Sequence, residues 1–346
     1  MFVLENACML RLLRRWIEEK IGSRLRYPRR LRELGRSRFL KAKFTDSRDA
    51  SRPSLRREIG YRLYLPSGSS RRGSLPLIVM LHGCRQDPGS FAEGTRMNTL
   101  AEEYRCAVLY PEQSNRSNPL RCWNWFEPAS LAGQGEAAAI ARLIAQVTVR
   151  RPVDPRRVYM AGMSAGGAMG CLLAVRHSHL FAACAIHSGV MYGAASSAVQ
   201  ALVAMRSGPS AASIDRAKQL VSEADRSAVT VPTLVIHGDS DTTVNPVNAD
   251  QIIEQLKARC ESIDPAAGPL VASDERRSES GGRAYRQQDY SRQRLIVLRK
   301  VLVEGLGHAW SGGDPRHEFN EAAGPDASRL ILDFVMQHQR ETHPGG

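Results

Sequence analysis

The hydrophobic positions of the chain form short apolar runs, separated by longer stretches with helical spacing, from about residue 59 onward. Several of these runs are continuous Val, Ile, Leu and Ala segments rather than strict alternations. Such runs are typical of strands that are buried on both faces of a sheet. The pattern predicts strands over 61–66, 75–83, 106–112, 157–162, 181–189, 232–238 and 295–305.

Amphipathic stretches lie between the predicted strands. Asp326, for example, precedes an apolar stripe that includes Ile331 and Phe334, which is the pattern of an N-cap followed by a core-facing helix. The spacing predicts helices over 91–104, 134–149, 165–177, 245–259 and 326–339. Strands that alternate with helices in this way predict an α/β fold, with a mostly parallel central sheet and helices on both faces.

Two intervals depart from the alternation. Residues 189–230 are rich in Ala, Ser and Gly and show only weak helical signals, so they are a candidate substrate-covering insertion. Residues 261–294 are polar and rich in Gly and Ser, which predicts a surface loop that leads into an edge strand.

The first 58 residues form a basic N-terminal arm outside this pattern. Residues 9–21 place Leu10, Leu13 and Ile17 at helical spacing, which predicts an amphipathic helix. Residues 22–58 are rich in Arg, Ser and Pro and predict a mobile or loosely docked segment. Residues 59–340 are expected to form the α/β domain.

The net charge of +13 is confined to the N-terminal fifth of the chain. Residues 1–72 hold 20 of the 48 Lys and Arg side chains and 7 of the 35 Asp and Glu, so residues 73–346 hold 28 of each. A body without net charge suits uncharged ligands. Aromatic residues make up only 6 % of the chain and no nucleic-acid-binding motif is present, so specific nucleic-acid binding is not expected.

Targeting and metal signals are absent from the sequence. No run approaches the roughly 18 consecutive apolar residues of a membrane-spanning helix. The arm lacks the uninterrupted apolar core, at least about seven residues long, of a secretory signal, so the sequence on its own predicts a cytoplasmic protein. The seven cysteines have no zinc-ligand spacing, and neither a metal nor an organic cofactor is implied.

A candidate nucleophile follows the strand 157–161. Gly162-Met163-Ser164-Ala165-Gly166 is a GxSxG motif between a predicted strand and a predicted helix, the context of a nucleophile elbow. Small residues are needed because the turn is sharp and its backbone passes close to neighbouring elements. The turn lifts the Ser164 hydroxyl to the carboxyl edge of the sheet, where a base can activate it.

The acid and the base are expected after Ser164 in chain order, each at the end of a later strand. The strand 232–238 leads to two candidate acids, and we favour Asp241 over Asp239, because Asp239 directly follows a glycine turn and could simply accept from backbone amides there. His308 is the candidate base, since it lies in a glycine loop after the last strand. The acid would hold the tautomer of the imidazole and stabilise the imidazolium.

An acyl-transfer site also needs donors for the oxyanion of the tetrahedral intermediate. The amide of Ala165, the residue after the nucleophile, is one candidate. The other is the amide of Cys84, in the loop after the strand 75–81. His82, in the same loop, is expected to shape it.

Several segments together resemble the polyhydroxybutyrate (PHB) depolymerase family of α/β-hydrolase esterases. The resemblance covers about 75–338 and excludes the basic arm. It rests on LPLIVMLHGC (75–84), YPEQ (110–113), CWNWF (122–126), AGMSAGGAM (161–169), HGDSDTTV (237–244) and GHAWSGG (307–313). It implies an α/β-hydrolase fold, the triad Ser164, Asp241 and His308, and carboxylic-ester substrates that include polyesters and feruloyl or acetyl esters of plant polysaccharides. It also implies an extracellular location, in contrast to the missing signal sequence.

Two further hypotheses concern residues in these segments. Trp123, Trp125 and Trp310 would wall an apolar groove for the acyl chain, with core packing as the alternative for at least one of them. Cys84 and Cys122 would pair and brace the oxyanion loop, and such a bridge would favour an oxidising compartment.

The sequence thus predicts a serine esterase that resembles PHB depolymerases and uses an acyl-enzyme mechanism. The alternative within the same chemistry is a feruloyl, acetyl or small-molecule esterase without polymer activity. A third, non-enzymatic hypothesis is that the basic arm attaches the chain to a membrane, a polymer granule or nucleic acid.

Overall fold

The structure is a computed structural model and describes residues 37–46, 58–69, 74–222 and 229–341. These residues belong to one compact unit that begins at Ser37. The helix predicted over 9–21 lies outside the described residues.

An eleven-stranded mixed sheet runs through the molecule in the order β1-β2-β4-β3-β5-β6-β7-β11-β10-β8, with β9 also paired to β10, and β12 and β13 form a separate pair. The strands are β1 (Arg38–Thr45), β2 (Glu58–Leu65), β3 (Leu75–Leu81), β4 (Ala107–Glu112), β5 (Val153–Met163), β6 (Ala183–His187), β7 (Thr233–Gly238), β8 (Val271–Ala272), β9 (Arg276–Ser280), β10 (Arg283–Arg292), β11 (Leu295–Val303), β12 (Trp310–Ser311) and β13 (Asn320–Glu321).

The six central strands, from β4 to β11 in sheet order, are parallel. The strands on either side of them are antiparallel. Every residue of β3 is buried, as the continuous apolar run predicts. All seven strands predicted from the sequence are present. Because the central strands are parallel, their carboxyl ends meet at one edge of the sheet.

Helices cover both faces of the sheet. The helices are α1 (Pro88–Gly94), α2 (Met97–Glu103), α3 (Pro128–Leu131), α4 (Gly135–Arg150), α5 (Ala165–Arg176), α6 (Ala198–Ser207), α7 (Ala211–Ser222), α8 (Val247–Ile263) and α9 (Ala327–Val335). The buried residues of α4, α5 and α8 join one core cluster. Those of α1, α2 and α9 join the other. This is the predicted α/β architecture.

Three sequence predictions need correction. The arm was expected to extend to residue 58, but β1 pairs with β2 along eight residues and therefore belongs to the sheet. Residues 261–294 contain β8, β9 and β10 rather than only a surface loop. The helix predicted over 91–104 is two helices, because Arg96 between them has a left-handed backbone with φ 53°.

Among the helices of the described residues, none is both long and apolar enough to cross a membrane.

Candidate active site

Ser164 lies in the turn between β5 and α5 with an unusual backbone. Its φ of 55° and ψ of −120° are unfavourable for a side chain other than glycine, and such conformations persist where the surroundings enforce them. Its amide donates to the His187 carbonyl at the end of β6 (2.9 Å). The strained turn is therefore tied to the neighbouring parallel strand, at the carboxyl edge of the sheet.

Two glycines allow the turn to pack this closely. A Cβ atom on Gly162 would overlap the backbone of Gly166, and one on Gly166 would overlap the carbonyl groups of Leu81 and His82. The elbow thus presses against the end of β3. Gly83 also belongs to this contact, since a Cβ there would lie 3.5 Å from the Cβ of Ser164.

Asp241 and His308 meet at the same edge of the sheet. The Nδ1 of His308 donates to Oδ2 of Asp241 (2.7 Å). The other carboxylate oxygen, Oδ1, accepts from the amides of Thr243 (2.9 Å) and Val244 (2.8 Å). The hydrogen bond to Asp241 sets the imidazole tautomer and leaves the Nε2 of His308 as the atom that can accept a proton.

The second candidate acid, Asp239, has a different set of partners. Its Oδ1 accepts from the Gly305 amide (2.7 Å) and its Oδ2 lies 3.9 Å from a guanidinium nitrogen of Arg286. Asp239 therefore ties the loop after β7 to the turn after β11. Of the two carboxylates, Asp241 is the one that contacts His308.

The environment favours the ionised form of Asp241. Burial by itself raises the pKa of this carboxyl, but hydrogen bonds from His237, His308 and the Val244 amide outweigh burial and hold the pKa well below the usual range. The carboxylate is therefore ionised and can stabilise a positive charge on the His308 ring.

Two further histidines lie beside Asp241 and His308. His187 is the last residue of β6 and His237 the penultimate residue of β7, the next two strands after β5 in sheet order, and both are fully buried. The Nε2 of His237 donates to the Val244 carbonyl (2.8 Å) and lies 3.5 Å from Oδ2 of Asp241. Both residues end predicted strands but precede the position expected for the base, and the sequence did not indicate that they would pack beside Asp241 and His308.

The predicted oxyanion loop lies between β3 and α1. The Gly83 amide donates to Oε1 of Gln86 (2.8 Å) and the Arg85 amide donates to the Leu120 carbonyl (2.7 Å), so the residues on both sides of Cys84 are held in place. Ala165 is the first residue of α5, where backbone amides have no partner within the helix.

His82 holds this loop in place through two hydrogen bonds. Its Nδ1 donates to the Gly83 carbonyl (2.7 Å) and its Nε2 accepts from the Gln113 amide (3.1 Å). Burial lowers the pKa of His82 to about 4, which keeps the ring neutral and allows it to act as donor and acceptor at once.

A disulfide joins Cys84 to Cys122, as hypothesised from the sequence. The bridge ties the oxyanion loop to the segment that carries Trp123 and Trp125. That segment is also fixed through Glu136, whose carboxylate accepts from the Asn124 amide (2.7 Å) and from the Gln113 side chain (2.7 Å).

The structure corrects the hypothesis that three tryptophans wall a groove. Trp123 is 1 % exposed and its Nε1 donates to the His82 carbonyl (3.0 Å). Trp310 is 0 % exposed, stacks on His187 with ring centroids 5.0 Å apart, and donates to Ser328. Both are core residues that support the loops of the site. Trp125 alone of the three lines the cavity beside Ser164.

That small cavity shows what surrounds the candidate nucleophile. Its walls are largely apolar and come from five parts of the chain. They comprise Trp125, Ser164, Ala165, Ala168, Ser188, Val190, Met205 and Val244. Val190 and Met205 belong to the 189–230 insertion, which folds into α6 and α7. The Phe319 ring lies edge-on to the His308 ring, with the ring centroids 6.3 Å apart.

Within the described part of the chain, no cluster of three or more His, Cys, Asp or Glu side chains could hold a metal ion. The polar contact that the structure shows between the candidate residues is the one from His308 to Asp241.

Comparison with known proteins identifies the family of the chain. Residues 59–280 match the sequence profile of the family described as Esterase PHB depolymerase. The chain is 33 % identical over 200 residues to poly(3-hydroxyalkanoate) depolymerase C of Paucimonas lemoignei, a stretch that covers 56 % of this chain and 46 % of that protein. It is 30 % identical over 188 residues to feruloyl esterase B of Thermothelomyces thermophilus, which covers 52 % of this chain and 64 % of that protein.

These stretches are about half to two thirds of the length of the two relatives. Among solved structures, the acetyl xylan esterase of Aspergillus awamori superposes with a TM-score of 0.64 at 20 % identity, covering 86 % of this chain and 99 % of that one. This likeness shows that the fold is the α/β-hydrolase fold. Since the profile match spans more than half of the chain, the protein belongs to the Esterase PHB depolymerase family of carboxylic ester hydrolases.

Proposed function

We propose that the protein is a serine esterase that hydrolyses carboxylic esters through an acyl-enzyme on Ser164. The observation that carries this proposal is the 2.7 Å hydrogen bond from His308 to Asp241, at the sheet edge where Ser164 occupies its elbow. In chain order the three residues follow the sequence serine, acid, histidine that this fold uses.

The mechanism follows from the roles of these groups. The Nε2 of His308 takes the proton of Ser164 as its oxygen attacks the ester carbonyl, and Asp241 stabilises the imidazolium that forms. The amides of Ala165 and Cys84 donate to the oxyanion of the tetrahedral intermediate. His308 then gives the proton to the departing alcohol, and water repeats the cycle on the acyl-enzyme.

For the substrate, we propose an apolar polyester of the polyhydroxyalkanoate type. The relative from Paucimonas lemoignei supports this choice through its name. So does α6, which contributes Met205 to the cavity and exposes Val199, Leu202 and Val203 to solvent on the same helix. An apolar surface beside the cavity suits a water-insoluble substrate. A small feruloyl or acetyl ester is the second candidate, supported by the feruloyl esterase relative.

Ser164→Ala tests the chemistry. It should lower kcat for p-nitrophenyl butyrate by more than about 10³-fold, because the nucleophile is lost. Ser130→Ala is the matched control, since Ser130 is equally buried, lies on α3, and its hydroxyl has no hydrogen-bond partner among the described residues. Substantial activity in Ser164→Ala would refute the assignment.

The substrate class is tested by assaying the wild type and Ser164→Ala on an emulsified polyhydroxybutyrate suspension, on methyl ferulate and on p-nitrophenyl acetate. Clearing of the suspension by the wild type supports the polyester. Turnover of only the soluble esters supports the second candidate.

We also propose an oxidising compartment for the protein, since the Cys84–Cys122 bridge is stable in such surroundings. For the basic arm we propose peripheral association with an anionic membrane or a polymer granule, supported by the charge of residues 1–72.

A further inference from the structure

A second pocket, of about 570 Å³, lies between α7 and α8, apart from the cavity beside Ser164. Its volume falls within the range of roughly 300–1,000 Å³ that is common for small-molecule sites. Met191, Ile214, Val221 and Ala258 give it a largely apolar wall. One stretch of chain separates the two spaces, because Val190 lines the cavity at Ser164 and the next residue, Met191, lines this pocket.

Arg259 places a buried positive charge at this pocket. The residue is only 6 % exposed, and its Nη2 donates to the Val175 carbonyl (3.0 Å). The guanidinium forms no ion pair with a carboxylate of the described residues, and burial lowers the pKa of Arg259 from its ordinary value. Burying a charge without an opposite charge is unfavourable, so an anionic occupant would stabilise this arginine.

The other charged side chains of the pocket are paired or lie at its rim. Lys218 pairs with Asp215 (3.4 Å), and Asp250 pairs with Lys300 (2.8 Å). Glu254 is exposed to solvent. Arg259 is thus the buried charged residue of the pocket, and it has no carboxylate partner among the described residues.

We propose that this pocket binds an aliphatic carboxylate, with the hydrocarbon chain against the apolar wall and the carboxylate on Arg259. A planar guanidinium offers two parallel N–H donors to a carboxylate, a stronger arrangement than a neutral hydrogen bond. The inference goes beyond the proposed function and does not depend on it, because the pocket is separate from Ser164.

Isothermal titration calorimetry with sodium octanoate, below its micelle concentration, tests the proposal on the full chain. We expect one site per chain. Octanamide, which has the same chain without the charge, should bind about tenfold more weakly or worse, because it cannot form the charge-assisted pair.

Two variants remove the site in independent ways. Arg259→Leu removes the charge, and Ala258→Phe fills the pocket while Arg259 stays in place. Both should abolish octanoate binding, and Ala258→Phe carries the test if Arg259→Leu fails to fold. Ala212→Phe is the matched control, since Ala212 is exposed on α7 outside the pocket and this variant should bind octanoate like the wild type.

If octanoate bound instead in the cavity beside Ser164, both Arg259→Leu and Ala258→Phe would still bind it. That result would overturn the proposal. Equal affinity for octanoate and octanamide would overturn it as well.

Discussion

Asp241 uses one carboxylate oxygen for the backbone and the other for His308. Because the Thr243 and Val244 amides both donate to Oδ1, the carboxyl group cannot rotate freely, and Oδ2 stays directed at the imidazole. Such support from the backbone holds the carboxylate in the position that the proposed mechanism requires of its acid.

Asp241→Asn should therefore lower kcat by about 10⁴-fold with little loss of structure, since an amide favours the wrong tautomer of His308. Asp239→Asn is the matched control. Its amide oxygen can still accept from the Gly305 amide, so kcat should stay within a few fold of the wild type. Steady-state kinetics with p-nitrophenyl butyrate measures both. Equal losses in the two variants would contradict the assignment of the acid.

The buried histidines make stability depend on pH. Burial lowers the pKa of His82 to about 4 and, with His237 and His308 nearby, lowers that of His187 to about 3. In the unfolded chain both titrate near 6.5, so the unfolded state binds more protons at mildly acidic pH. The free energy of unfolding should fall as the pH decreases from about 6.5 towards 4, by up to about 1.4 kcal/mol per pH unit for each histidine.

Urea denaturation at about pH 7 and about pH 5 measures this slope. His82→Asn keeps a donor for the Gly83 carbonyl but removes the titrating ring, so its slope should be smaller than that of the wild type. An unchanged slope would show that His82 takes up its proton without unfolding.

At the scale of elements, the elbow depends on contacts that only glycine permits. Gly166→Ala would push a methyl group into the Leu81 and His82 carbonyls at the end of β3, and should lower the free energy of unfolding by about 3 kcal/mol. Activity should fall too, because the Ala165 amide moves with the turn.

Gly170→Ala on the same helix is the control. Its methyl group would meet only the ends of the Ile186 and Met160 side chains, so stability should change by less than about 1 kcal/mol. Chemical denaturation that finds the two variants equally stable would contradict this account.

The strands whose apolar runs are continuous could be predicted from the sequence, and β10 could not. Its residues are polar and only partly buried, since it lies near the edge of the sheet. It is held by backbone pairing to β11 and by the buried Asp289, which accepts from Arg299 (2.6 and 2.9 Å) and from Arg276 (3.1 Å). β11 is the next strand in the chain, but the pairing uses backbone groups, so the polar side chains of β10 leave no apolar pattern to detect.

The candidate site also contains residues whose place the sequence indicates and residues whose place it does not. Ser164, Asp241 and His308 could be predicted because strand order restricts where each residue can lie. The tryptophans could not be divided into core and cavity residues, since burial from all sides depends on how loops from different strands pack. Trp310, for instance, is covered by His187 and Phe91.

At the scale of the whole molecule, two truncations separate the arm from the fold. A chain that begins at Ser37 keeps β1 and should match the full chain in kcat/KM and in melting temperature. A chain that begins at Glu58 loses β1, the buried Phe44 and the ion pair between Arg142 and Asp46. It should be less stable by at least about 2 kcal/mol, the contribution of one large apolar side chain. Thermal and urea denaturation measure the difference, and equal stability of the two truncated chains would show that β1 is dispensable.

The same pair of chains tests surface association. Sedimentation with phosphatidylglycerol vesicles should retain the full chain and release the chain that begins at Ser37. If both sediment alike, the first 36 residues are not the anchor.

The position of β1 gives its basic residues a role that net charge alone does not reveal. Among the strands of the described residues, β1 is the outermost and exposes Arg38, Lys41 and Lys43, while β9 at the opposite edge exposes Arg276 and Arg277. A bare strand edge is a template for another copy of the chain, and positive side chains along it discourage that pairing. Two copies that met edge to edge would bring like charges together. Part of the basic charge therefore protects a large open sheet against aggregation.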